Sequence, residues 1–105
     1  MREMNVSEFS KKIAESGVVT LDVRTAEEIA EGYIEGSQSI DFYREDFEIE
    51  INTLDKQLTY AVYCRSGKRS GKAIEIMQEA GFHNLFNLDG GIIDWVNTGM
   101  PLVTP

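Results

Sequence analysis

The stretch from Thr59 to Ala80 constrains this chain more than any other. An apolar run, Tyr60-Ala61-Val62-Tyr63, ends in Cys64 and passes through Arg65-Ser66-Gly67-Lys68-Arg69 into Ser70–Ala80. Ala73, Ile74, Met77 and Ala80 then fall on one face at helical spacing, and Gly81 stops the pattern. The apolar run reads as a central strand. Strand, short loop and helix follow one another, which places the loop at the strand's carboxyl end. Ligands of open parallel sheets bind beyond such ends.

The rest of the chain keeps the same alternation. Val18-Val19-Thr20-Leu21-Asp22-Val23 and Leu85-Phe86-Asn87-Leu88 read as strands, and Gln38-Ser39-Ile40 as a short one after the Gly32–Gly36 turn. A first helix is expected with Ser7 as its cap, Phe9 and Ile13 on one face and Gly17 at its end. Thr25 followed by Glu28 is a capping-box pattern, so a brief helix should begin there. Gly90-Gly91 leads into a last helix carrying Ile93, Trp95 and Val96. Residues 42–55 fit two periods: Phe47, Ile49 and Ile51 alternate, whereas Phe47, Ile51 and Leu54 have helical spacing. The expected class is α/β, a mainly parallel sheet with helices on both faces. A chain of 105 residues with 42% apolar content makes one core and one domain, 1–105.

Cys64 is the only cysteine, and three of the ten cationic side chains stand within five residues of it. At a strand's end it would face backbone N–H groups and the positive end of a helix dipole. A free thiol ionises near pH ~8.5, and electropositive sites lower that to about 3.5–7.5. The plain alternative is a buried cysteine acting as a small hydrophobe. Gly67 allows the loop backbone to turn its amides inward. Arg65 and Lys68 are expected at the mouth, where they favour small anions. Arg69 is either a substrate contact or a brace paired with Asp22 or Glu28. Ser66 and Ser70 can offer hydroxyls to the sulfur, Ser70 also being a helix cap. A lone cysteine excludes an internal disulfide, a Cys-x-x-Cys pair and a cysteine-rich zinc site. No metal or cofactor is called for.

The net charge of −8 argues against nucleic acid as a partner. Acid gathers in Asp41–Glu50, where Asp41, Glu45, Asp46, Glu48 and Glu50 face Arg44 alone, as on a solvated helix face. No run of eighteen apolar residues occurs and no apolar signal segment opens the chain, so no membrane partner and a cytoplasmic location are expected.

Leu21-Asp22-Val23-Arg24-Thr25-Ala26-Glu27-Glu28, Glu31-Gly32-Tyr33-Ile34-Glu35-Gly36-Ser37, the Cys64 loop, Leu88-Asp89-Gly90-Gly91-Ile92-Ile93-Asp94-Trp95 and Gly99-Met100-Pro101 together resemble the single-domain rhodanese family. The resemblance runs in family order over residues 5–103. Tyr33 stands where many members have His, and Glu35 where many have Pro. The resemblance implies a five-stranded sheet, a helix within 42–55 and sulfur transfer through a Cys64 persulfide. The implied donor is thiosulfate or another sulfane-sulfur compound, and the acceptor cyanide or a thiol, including a protein thiol. Arg65, Ser66, Gly67, Lys68 and Arg69 then bind substrate, and Asp22, Arg24 and Ser70 support them.

Two other functions compete. Rhodanese-like domains also serve as interaction or sulfur-carrier modules, although those lacking the cysteine do so most plainly. Cysteine phosphatases close a similar loop with arginine, but space Cys and Arg by five residues. Here four residues, Arg65 to Lys68, lie between Cys64 and Arg69, and Tyr63 replaces the usual phosphatase histidine. Gly67-Lys68-Arg69-Ser70-Gly71-Lys72 is one residue short of a Walker loop and Ala73 follows its lysine. His83 follows Gly81-Phe82 at a helix-to-strand turn and reads as a surface residue rather than a base. Trp95 reads as a core anchor, and Asp89-Gly90-Gly91 as a turn supporting the loop.

Overall fold

The computed structural model describes residues 2–105. Five strands, β1 (Arg2–Met4), β2 (Val18–Asp22), β3 (Gln38–Ser39), β4 (Thr59–Tyr63) and β5 (Asn84–Leu88), alternate with five helices. The helices are α1 (Val6–Ile13), α2 (Ala26–Ala30), α3 (Phe47–Ile51), α4 (Lys68–Glu79) and α5 (Gly91–Asn97). The strands form one parallel sheet in the order β1-β5-β4-β2-β3. The central strand carries the cysteine loop, and every strand's carboxyl end meets the same rim.

Alternation along β4 divides the core in two. Tyr60, Val62 and then Cys64 point to one face, where they meet Phe47 and Ile51 of α3 and Ala73, Ile74 and Met77 of α4. Ala61 and Tyr63 point to the other, against Phe9 of α1 and Ile92 and Trp95 of α5. Burying helices on both faces is what lets β4 be apolar throughout. Trp95 is 3% exposed and its indole N–H donates to the Pro101 carbonyl at 2.9 Å, anchoring the last helix.

Local signals mark most boundaries. Thr25 caps α2 in a complete capping box with Glu28. In the stretch from 42 to 55 only Phe47–Ile51 is helical. Phe47 and Ile51 are buried one turn apart while Ile49 is 70% exposed, which a strand's alternation would not allow. Two capping expectations need correcting, and one strand goes unread. The cap of α1 is Asn5, which shares a capping box with Glu8, and Ser7 lies inside the helix. β1 escapes notice in the sequence because it has three residues and only Met4 is buried. Ser70 does not cap α4, since the helix starts two residues earlier at Lys68 behind the left-handed Gly67.

No helix is long and apolar enough to cross a membrane among the described residues.

Candidate active site

Cys64 follows the last residue of β4, and its sulfur is enclosed by the loop that follows. The side chain is 1% exposed, so the loop's cysteine is a core residue. It is nevertheless more than a small hydrophobe. The Gly67 N–H donates to Sγ at 3.1 Å, and the Ser70 hydroxyl does so at 3.4 Å. Ser70 reaches it because Ser70, Ala73, Ile74 and Met77 share the buried face of α4, where a hydroxyl must find a partner.

Burial pushes the Cys64 thiol up. Hydrogen bonds from the Ser70 hydroxyl and from the Ser70, Gly67 and Ser66 amides outweigh it, and the thiol sits below its ordinary value. The sulfur is therefore activated by donors built into the loop. The neighbouring cations, expected to share that role, are arranged differently. Arg65 and Lys68 are exposed, and neither has a carboxylate partner among the described residues. Ser66 is exposed as well and contributes through its amide.

Arg69 is a brace. Its Nη1 and Nη2 each lie 2.8 Å from a carboxylate oxygen of Glu28, a fork-to-fork pair tying α4 to α2. Its guanidinium also lies 5.5 Å from the ring centroid of the exposed Tyr43. The Arg69 hydrogen bonds hold the Glu28 carboxyl down to about 2, against an ordinary value of 4.5. A folded-state value below the unfolded one stabilises the protein above about pH 4.5, and that contribution is lost as pH falls toward about 2. Glu28→Gln should cost about 2 kcal/mol at neutral pH, allowing for partial solvent screening. In urea unfolding the gap between variant and wild type should close as pH falls from 5 to about 2. A gap independent of pH would mean the pair does not stabilise the fold.

Asp22, the other carboxylate considered for Arg69, is occupied by Arg24. Arg24 Nη2 lies 2.8 Å from Asp22 Oδ2 and 2.8 Å from the Gly32 carbonyl, and both ionic side chains are buried. The pair fastens the end of β2 to the turn before β3. Tyr63 completes that fastening: its hydroxyl accepts from the Ile34 N–H at 3.1 Å and lies 2.9 Å from Ser37 Oγ. Burial, the largest influence, raises the Tyr63 phenol and keeps it neutral. Tyr33 pairs through its backbone with Val103, and Glu35 is exposed, so neither departure from the family pattern touches the sulfur.

The Gly90-Gly91 turn supports the loop from α5. Ile92 N–H donates to the Cys64 carbonyl at 2.9 Å and Ile93 N–H to the Arg65 carbonyl at 3.2 Å. A cleft of about 370 Å³ beside the loop is lined by Arg65 and Ile92 together with Glu28, Glu31, Gly32 and Leu102. His83 is exposed at the far end of β5's lead-in and takes no part. Asn87, which sequence reasoning passed over as a strand residue, also belongs to the site: its Nδ2 lies 3.2 Å from the Gly67 carbonyl. No local pattern announces it, since Gly67 is twenty residues away.

Known proteins share this fold. The Rhodanese-like domain family model matches residues 5–98. A sulfurtransferase of Allochromatium vinosum is 32% identical over 106 residues, covering 100% of this chain and 97% of that protein. The crystal structure of a rhodanese-related protein from Thermoplasma volcanium superposes with a TM-score of 0.88 at 30% identity, covering 100% of both chains. The tRNA uridine(34) hydroxylase of Yersinia enterocolitica is 28% identical over 107 residues, covering 94% of this chain and 31% of that protein.

Proposed function

Since the chain belongs to the rhodanese-like domain family, we propose that it is a sulfurtransferase working through a persulfide on Cys64. The observation that carries this reading is the set of donors converging on one sulfur, with the Gly67 N–H at 3.1 Å and the Ser70 hydroxyl at 3.4 Å. In the first half-reaction the Cys64 thiolate attacks the outer sulfur of thiosulfate or another sulfane-sulfur donor. The donor's S–S bond breaks, and sulfite departs with its electron pair. In the second, a thiolate or cyanide attacks the outer persulfide sulfur and Cys64 leaves as thiolate. Preorganised N–H and O–H donors suit every anionic state of that sulfur and need no reorientation between steps. The domain spans residues 1–105 in this reading, with the acceptor approaching by the cleft at Arg65.

Loop size supports sulfur transfer over phosphoryl transfer. The Gly67 amide closes directly onto the sulfur at 3.1 Å, leaving it no free reach toward the oxygens of a tetrahedral phosphoryl group. Intact mass after incubation with thiosulfate is the decisive measurement. One added sulfur atom, removed by cyanide, is expected. An unchanged mass with thiosulfate, but a gain from a protein persulfide, would assign the carrier reading instead.

Arg65 and Lys68 should act on encounter more than on activation, because the donors to Cys64 are hydrogen bonds within the loop. Replacing both with Ala should lower kcat/KM for thiosulfate about tenfold while leaving alkylation by a neutral reagent nearly unchanged. Added inert salt should slow wild type more than the double variant, since exposed charge is screened within about 8–10 Å. Parallel salt slopes for thiocyanate formation would show that these side chains do not steer the donor.

A further inference from the structure

Asn87 occupies a position that the fold would ordinarily give to a hydrophobe. It follows Leu85 on the face of β5 that packs under α4, beside Val62 in the register of β4, and is 2% exposed. Burying an amide there costs stability unless its polar atoms are satisfied, and Oδ1 has no partner among the described residues. All its bonding is concentrated at Nδ2. That nitrogen lies 3.2 Å from the Gly67 carbonyl and 3.0 and 3.1 Å from the two carboxylate oxygens of Glu3 on β1. Glu3 sits beside Asn87 in the β1–β5 register.

Gly67 is the residue whose pose matters most to the sulfur. Its N–H reaches Sγ, its φ of +97° is left-handed, and its carbonyl accepts from both Asn87 and the Gly71 amide. The N–H and the carbonyl lie in adjacent peptide planes joined at the Gly67 Cα, so holding the carbonyl restrains the point from which the N–H is aimed. We propose that Asn87 is a positioning residue of the cysteine loop, holding the Gly67 carbonyl so that the Gly67 N–H stays on Cys64, with Glu3 holding Asn87 in turn. The proposal rests on Cys64 as the nucleophile but does not require a sulfur donor to be tested.

The experiment is the pH dependence of Cys64 alkylation by iodoacetamide in wild type, Asn87→Leu, Glu3→Ala and Glu3→Gln, with thermal unfolding alongside. Asn87→Leu matches the site's shape and removes the donor. It should move the midpoint of the alkylation profile up by about one unit. Glu3→Ala should move it in the same direction by about half a unit, whereas Glu3→Gln keeps an acceptor and should match wild type. Glu3 is exposed, so its variants report even if Asn87→Leu does not fold. A purely structural role predicts lower unfolding temperatures with unmoved midpoints, and that result overturns the proposal. Because alkylation needs no sulfane sulfur, a shifted midpoint in a protein that takes up sulfur neither from thiosulfate nor from a protein persulfide would sink the sulfurtransferase reading and leave this one standing.

Discussion

Cys64→Ser should form no persulfide and no thiocyanate, with turnover below detection. Serine keeps the two donors in reach, since the Gly67 N–H and Ser70 hydroxyl that serve Sγ are fixed by backbone and helix. It cannot form the sulfur–sulfur bond on which both half-reactions depend. The fold should hold, although not because the position is unimportant. Cys64 lies in the core beside Ile74 and Met77, and a buried hydroxyl with partners present should cost about 1 kcal/mol. The test pairs intact mass after thiosulfate with thermal unfolding of the variant. If a tenth of wild-type turnover survives in a folded variant, sulfur does not pass through Cys64.

Gly91→Ala should be nearly as severe although Gly91 has no side chain to do chemistry. A Cβ there would lie 2.3 Å from the Arg65 carbonyl oxygen, 2.4 Å from its carbon and 2.6 Å from the Ser66 nitrogen. These are backbone atoms of the loop itself, so relief requires moving the loop. The φ of +60° adds about 1–2 kcal/mol of strain for any L side chain. Displacing the loop by as little as ~1 Å takes the amides off the sulfur and should lower turnover by about a hundredfold. The Ile92 and Ile93 amides that hold the Cys64 and Arg65 carbonyls would be displaced with it. Thiocyanate assays and a crystal structure of the variant would check this. Activity within twofold of wild type would show that the loop tolerates a shift the geometry forbids.

What could be read in the sequence was whatever its neighbours in the chain decide. β4 and α4 declare themselves through adjacent residues, and the Thr25–Glu28 capping box is complete within one turn. The Cys64 loop was legible for the same reason, being six consecutive residues. Features set by distant partners were not. Ser70 looked like a cap because the left-handed turn at Gly67 starts α4 earlier, at a position where a Cβ would crowd the Leu88 carbonyl oxygen at 3.3 Å and the Gly90 nitrogen at 3.4 Å. Arg69 had two credible carboxylates, and only tertiary structure gives Asp22 to Arg24 and Glu28 to Arg69. Asn87 could not be assigned at all, since Glu3 lies 84 positions away and Gly67 twenty.

The pairing of β1 with β5 has a consequence for how the molecule is made. Among the described residues β1 pairs with β5 alone, so the first of these five strands to be synthesised waits for the fifth before it has a neighbour. Until then Met4 and the apolar face of α1 lack the Leu88, Ile92 and Trp95 surface against which they finally rest. Sheets that close through such remote contacts assemble slowly, because loop-closure entropy must be overcome before the contacts form. Cys64, the proposed nucleophile in β4's wake, is synthesised well before α5 arrives to hold its carbonyl. Chemical competence should therefore arise at the end of folding, and a nascent chain halted before residue 84 should carry an ordinary, unactivated thiol.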